Sequence, residues 1–209
     1  DSENRADFCQ RAAALGVQIQ VLEPEEEARL ALLGATGGQG GLLDIGGGST
    51  EILRPGFLHS APLGCVKARE LCDSAYSLEE MKRRVFAKCK ELFRFPPEKS
   101  EDYVGVGGTI TTVAALMLGL KAYDGAKVAA MPICHTALDE LVEWLYDLGS
   151  AGRAAQPLLK GREHTILPGA LILVYLMKHM GLGELRVSDR DGICLLYTSP
   201  SPRDYAASR

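Results

Sequence analysis

Apolar and polar positions along the chain switch between two periods. In "RADFCQRAAAL", Ala6, Phe8, Ala12, Ala13 and Leu15 recur at helical spacing, and Gly16 supplies a C-terminal stop. "VQIQVL" then alternates, with Val17, Ile19 and Val21 on one face, which predicts a strand. Pro24, Glu25, Glu26 and Glu27 read as the first turn of a helix, where proline's missing N–H is harmless and acids meet the positive end of the dipole. This helix is expected to turn Leu30 and Leu33 inward and to end near Gly34, before the glycine-rich "GATGGQGG". A domain boundary is expected in that link.

Three short strands are predicted beyond it, in "LLDIG", "STEILRPG" and "FLHSAPL", the last two joined by a turn at Pro55-Gly56. Helices follow at about 66–73 and 78–93, the second with Met81, Val85, Leu92 and Phe93 inward. "DYVGVGGTITTVAALML" reads as a strand that breaks at glycines and enters an apolar helix. Residues 136–148 place Leu138, Leu141, Val142 and Leu145 on one helical face, Leu167 to Met180 form the most buried helix, and "ELRVSD" gives the last strand. Strands alternating with helices predict an α/β layered domain. The tail "CLLYTSPSPRDYAASR" has turn-like composition and no usable period. Its "CLLYTSPSPRD" resembles translated sequencing-adapter sequence, so 193–209 are expected to be disordered or artefactual, with the natural sequence diverging near residue 193.

Composition narrows the function classes. The 209 residues are 46% hydrophobic, which suits a packed domain, and the formal charge of -4 offers no basic field for nucleic acid. Lys82, Arg83, Arg84, Lys88 and Lys90 make a local basic run that reads as the wet face of a helix. The 6 cysteines form no CxxC pair, so neither a zinc knuckle nor a disulfide framework is signalled. No signal peptide opens the chain, and "LPGALILVYLM" is far shorter than the ~20 residues a membrane span needs. A cytoplasmic protein without membrane contact is expected.

The candidate chemistry lies in two glycine loops. In "GLLDIGGGSTEIL", Asp44 ends an apolar run, Gly46, Gly47 and Gly48 bare the backbone, Ser49 and Thr50 add hydroxyls, and Glu51 follows. Successive glycine N–H groups suit phosphate oxygens, while Asp44 and Glu51 suit a hard divalent cation. The competing reading is a tight hairpin turn with solvated acids at its rim. In "VGVGGTITT", Gly107 and Gly108 repeat the logic, Thr109 offers a hydroxyl, and a helix begins at once, aiming its positive end at an anion. The competing reading there is close helix–strand packing. No GxxxxGK[ST] P-loop occurs, the acid-first order does not match a dinucleotide fingerprint, and the histidines are scattered.

With "EPEEEARL" before it and "VGVGGTITTVAAL" and "GREHTILPGALIL" after it, "LLDIGGGSTEI" resembles the exopolyphosphatase and guanosine pentaphosphate phosphatase family, Ppx/GppA, of the actin-like ATPase superfamily. The likeness spans nearly all of residues 2–192. It implies an actin-like, ribonuclease H-like α/β lobe with a mixed sheet flanked by helices, one of two lobes about a cleft. By the same resemblance 1–36 are a remnant of the first lobe and 37–192 the second lobe. Glu27, immediately before Ala-Arg, would activate the attacking water, and Asp44 and Glu51 would serve Mg²⁺ and water. Gly46, Gly47, Gly48, Ser49, Thr50, Gly107, Gly108 and Thr109 would bind phosphate.

Asn4 and Phe8 match the family's first helix, and Arg162 is expected to support the lobe. The implied substrates are inorganic polyphosphate or guanosine pentaphosphate. The family's opening "DxGSN" strand has no counterpart here and its "GLREG" turn is disrupted after Gly192, so a truncated chain, inactive by itself, is expected, with exposed apolar cleft surface favouring a homodimer or marginal stability. Two other classes fit the loops: a sugar or acetate kinase-like ATPase, and a non-enzymatic actin-like module that binds nucleotide or a partner.

Overall fold

The structure, a computed structural model, describes residues 4–19, 24–95 and 102–189, with only the backbone of 24–28. The order is α1 (Arg5–Ala14), α2 (Pro24–Thr36), β1 (Gly41–Ile45), β2 (Thr50–Arg54), β3 (Phe57–Ala61), α3 (Cys65–Cys72), α4 (Leu78–Leu92), β4 (Tyr103–Val106), α5 (Gly107–Met117) and α6 (Gly125–Ala129). Then come β5 (Ile133–Cys134), α7 (His135–Asp147), α8 (Gly149–Ala154), a 3₁₀ turn (Pro157–Leu159), α9 (Ile166–Met180) and β6 (Glu184–Val187).

The strands form one mixed sheet in the order β3-β2-β1-β4-β6-β5. β1, β2 and β3 are an antiparallel meander, β4 lies parallel to β1 and β6 parallel to β4, and β5 closes the far edge antiparallel to β6. The parallel neighbours β1 and β4 are joined through helices, as a crossover requires.

Alternation along the strands divides the apolar residues between two faces. Leu43, Ile45, Ile52 and Tyr103 enter the main core, where α3, α4, α5 and α7 gather around α9. Leu42, Leu53, Val104 and Val106 point to the opposite face, where Leu32, Ala31 and Ala35 of α2 cover them. α9 is apolar on nearly all sides and stops at Gly181, whose φ of 68° gives the left-handed C-cap that glycine adopts at little cost. No helix among the described residues is long and apolar enough to cross a membrane.

Several expectations shift in detail. α2 runs past Gly34 to Thr36, whose Oγ1 donates to Leu32 O at 2.7 Å, and Gly37 with φ 69° ends it. Leu32, at 9% exposed, is the inward leucine, while Leu33 is 43% exposed. The contact with the sheet selects the face carrying 31, 32 and 35. Residues 17–19 are not strand: among the described residues no neighbouring strand supplies them a hydrogen-bond ladder, and 20–22 of the expected strand lie outside the described residues. α1 forms as the spacing predicts yet buries none of its residues, leaving Phe8 61% exposed. Cys89, which the inward set of α4 omitted, is fully buried there with Val85.

The basic run on α4 is largely paired. Lys82 reaches Glu143 at 2.6 Å, Arg84 reaches Glu80 at 2.5 Å and Lys88 reaches Glu91 at 2.9 Å, so it is a solvated helix face with compensated charge. Ser77 caps this helix by accepting from Glu80 N–H.

Gly169 marks the tightest approach to α9. A Cβ there would lie 2.6 Å from Thr109 Cγ2 and 3.0 Å from Cys65 Cβ. Threonine is stiff at χ1, so Thr109 cannot rotate away cheaply. Gly169→Ala gains about 1 kcal/mol of helix propensity but overpacks this junction by about 1–3 kcal/mol. The expected net effect in urea denaturation is a loss of stability; a more stable variant would show that α3 and α5 do not meet α9 this closely.

Candidate active site

The site grows from the ends of β1 and β4. In the antiparallel register Asp44 lies opposite Glu51, so both carboxylates project from the same face of adjacent strands. By parity that is the face carrying Leu42, Leu53 and α2. Ser60, opposite Glu51 on β3, donates to Glu51 Oε1 at 2.9 Å and fixes one of its oxygens.

The loop between the two acids is bent onto α3. Gly46 N–H donates to Ser49 O at 3.0 Å, while Gly46 O and Gly47 O accept from Cys65 N–H and Val66 N–H, each at 2.9 Å. The first amides of α3 therefore hold the loop's carbonyls, and Gly47 and Gly48 stand exposed beside the two carboxylates. Gly64 is needed for this contact, since a Cβ would meet Gly46 O and Gly47 C.

The second loop closes against the first. Gly107 has φ 83°, and a Cβ on it would overlap Asp44 Oδ1. Asp44 thus packs its carboxylate directly on the turn that starts α5. A Cβ on the next residue, Gly108, would lie 2.5–2.9 Å from the guanidinium atoms of Arg162. The carboxylate and the guanidinium each occupy the space a side chain would take on one of two consecutive glycines. Thr111 Oγ1 and Thr112 Oγ1 donate back to Gly107 O and Gly108 O at 3.0 and 2.6 Å, which steadies the turn.

The hydroxyls divide by role. Thr50, expected among the phosphate donors, is buried and donates its Oγ1 to Leu63 O at 2.6 Å, so it ties β2 to the chain entering α3. Thr109 is 3% exposed and packs toward Gly169, so its hydroxyl is likewise in the core. Ser49 is half-buried in the loop. Glu27 lies in α2, which covers the same sheet face as Asp44 and Glu51; its side chain lies outside the described residues. The resemblance gives Arg162 only a supporting role, whereas the fold brings it to Gly108 across more than fifty residues of intervening chain. Its place at the head of "GREHTILPGALIL" was the one available signal.

Beside this turn opens a cavity of about 610 Å³ lined by Thr112, Lys121, Tyr123, Leu158, Arg162 and Asp189. Tyr123 hydroxyl donates to Asp189 Oδ1. Partial desolvation, and then the bond to Asp189, push the Tyr123 phenol up to about 12.

No group of three or more His, Cys, Asp or Glu that would hold a metal by itself occurs among the described residues. The two carboxylates nevertheless fit Mg²⁺ as donors. That ion keeps several waters and is commonly bound by one or two carboxylates plus substrate phosphates, whereas Zn²⁺ or Ca²⁺ asks for a fuller protein cage.

The model of the Ppx/GppA phosphatase family matches residues 1–193. "Exopolyphosphatase 2" of Mycobacterium tuberculosis is 32% identical over 201 residues, covering 86% of this chain and 63% of that protein. The chain therefore spans less than two thirds of that relative's length. A solved Ppx/GppA enzyme of Aquifex aeolicus superposes with a TM-score of 0.83 at 26% identity, over 95% of this chain and 71% of its own. An exopolyphosphatase from Cytophaga hutchinsonii shares the fold, with a TM-score of 0.77 at 17% identity over 94% of this chain and 70% of its own.

Gly107→Ala adds strain at a positive φ and pushes Asp44 away, so a stability loss of about 2 kcal/mol or more is expected in denaturant titration. A neutral Gly107→Ala would show that Asp44 does not rest on the turn. The Tyr123 pKa gives a second outcome. With the folded value above the ordinary one near 10, the stability it contributes is complete below pH ~10 and is lost as pH rises toward 12. Phenolate absorbance should show Tyr123 titrating late, along with Tyr175, which burial also pushes up, and Asp189→Asn should bring back the Tyr123 component alone.

Proposed function

The chain belongs to the Ppx/GppA phosphatase family, and from that premise we propose that it supplies one wall of a Mg²⁺-dependent phosphoanhydride hydrolase. The substrate is inorganic polyphosphate or guanosine pentaphosphate, and the product is orthophosphate. The observation that carries this reading is the convergence of two glycine loops on Asp44, with Glu51 directly across the strand pair.

Each part has a chemical task. Gly47, Gly48 and Ser49 on one side, and Gly107 and Gly108 on the other, offer backbone amides to the oxygens of the terminal phosphate. Backbone donors fixed before the reaction stabilise charge on the transferring phosphoryl group without reorganising during it. Asp44 and Glu51 would hold Mg²⁺, which would supply positive charge to offset the phosphate and orient the attacking water. Asp44 is held by Gly107 and Glu51 by Ser60, so both acids keep their direction as substrate arrives.

Glu27 is the base. It takes the proton of the water whose oxygen bonds to the terminal phosphorus, the bridging P–O bond breaks, and the shortened chain leaves with the bridging oxygen. Arg162 adds a fixed cation beside Gly108. Together with Lys121, it lets the rest of an anionic substrate follow the neighbouring cavity. The reading includes a cytoplasmic location and a homodimer, the latter in keeping with exposed Phe8 and Leu15.

Orthophosphate release by the complete gene product, with Mg²⁺ and with a chelator, tests the proposal on polyphosphate, guanosine pentaphosphate and ATP. Metal-dependent release from the first or second is expected. Glu27→Gln, Asp44→Asn and Glu51→Gln should each lower kcat by about a hundredfold or more with little change in melting temperature. A Glu27→Gln enzyme at full rate would remove Glu27 from the mechanism. Turnover of ATP alone would replace the reading with a kinase-like one.

A further inference from the structure

The element behind Arg162 is built around a second arginine. Residues 160–165 form a tight, irregular passage between the 3₁₀ turn and α9. Arg162 N–H donates to Leu159 O at 2.7 Å, and Arg162 O accepts from Thr165 N–H and Ile166 N–H, each at 3.0 Å. These bonds fix the backbone of Arg162 between the buried Leu159 and Ile166, the first residue of α9.

A side-chain tie to a further element, α7, comes from Arg153 at the end of α8. Its Nε donates to Glu163 O at 2.8 Å, the carbonyl immediately after Arg162, and its Nη1 donates to Leu145 O at 2.7 Å in the last turn of α7. The side chain is half-buried, and desolvation lowers its pKa from the usual arginine value. It donates to two carbonyls on two different elements. Only a forked, planar cation bridges two such acceptors with fixed geometry; a lysine is a single point charge on a flexible stem. α7 is itself anchored through Leu138, Leu141, Val142 and Leu145 in the main core. The chain of support runs from the core through Leu145 O and Arg153 to Glu163 O, and so to Arg162 at Gly108.

We propose that Arg153 is a positioning residue for the anion site: it holds the turn that presents Arg162 to the Gly107–Gly108 loop, and touches no substrate itself. This rests on the reading above that Arg162 meets an anionic substrate. A group that acts through Arg162 loses its effect once Arg162 is gone, whereas one that merely supports the fold does not.

The test is a double-mutant cycle in the complete gene product, with affinity for tripolyphosphate, its bridging oxygens replaced by imido groups so that it is not cleaved, measured by calorimetry in Mg²⁺ and hydrogen exchange measured at Thr165 and Ile166. Arg153→Gln and Arg162→Gln should each weaken binding by about tenfold, and the double variant should bind no more weakly than Arg162→Gln alone. Arg153→Gln should also speed exchange at Thr165 and Ile166, while Arg162→Gln leaves those amides protected. Arg153→Lys keeps the charge and one hydrogen bond, so it should fold even where Arg153→Gln does not, and should give an intermediate loss of affinity.

Losses that multiply in the double variant, or Arg153 variants that bind normally, would overturn the proposal. If the unmodified protein does not bind the imido analogue, the anion-site reading falls. Exchange then decides the tether separately, and unchanged rates in Arg153→Gln would overturn it too.

Discussion

The contact of the Asp44 carboxylate with the bare backbone of Gly107 is what the rest of the site depends on. It requires β1 and β4 to lie side by side and parallel, so that their ends coincide, and it requires α5 to start immediately after β4 with a positive φ. Given those conditions, the two glycine loops meet around one acid. Were the turn built from a residue with a side chain, the carboxylate would be displaced and the loops would part. The parallel pair is itself held from both faces, by α5 and α9 on one and by α2 on the other.

The core explains why such closeness persists. α9 is a central post, and small residues sit where neighbours press on it: Gly169 against Thr109 and Cys65, with Ala170 beside it in the main core. Thr109 follows directly on Gly107 and Gly108, so packing at α9 and geometry at the anion turn are parts of one arrangement. Interiors are close-packed and transmit small displacements. The same logic applies to the first loop, whose carbonyls are pinned by the first amides of α3 while Thr50 locks the following strand to Leu63.

Much of this was legible in the chain because it rests on local rules. The strands at 41–45, 50–54 and 57–61, the glycine break at 107, and the buried helix ending at Gly181 follow from period, turn chemistry and capping. Errors arose where a partner decides the outcome. Leu33 and Leu32 are equally apolar, and only the position of α2 on the sheet selects Leu32. The alternation at 17–19 has the strand period, but a strand exists only with a neighbour. Thr50 and Thr109 sit in phosphate-loop strings, yet each faces the interior, since a strand or helix has two sides and a motif string does not state which is wet.

The sequence by itself determined the chemistry on offer: paired acids around bare glycines, a second glycine turn opening a helix, and the family to which such strings belong. It determined these because glycine freedom, turn propensity and hydrophobic period act between residues a few positions apart. Only the tertiary structure decided that Asp44 rests on Gly107, that Glu51 is its cross-strand partner, and that Arg162 lies on Gly108 with Arg153 behind its turn. Those relations join residues far apart in the chain. They are set by strand order, helix packing and the excluded volume of side chains, none of which has a local signature.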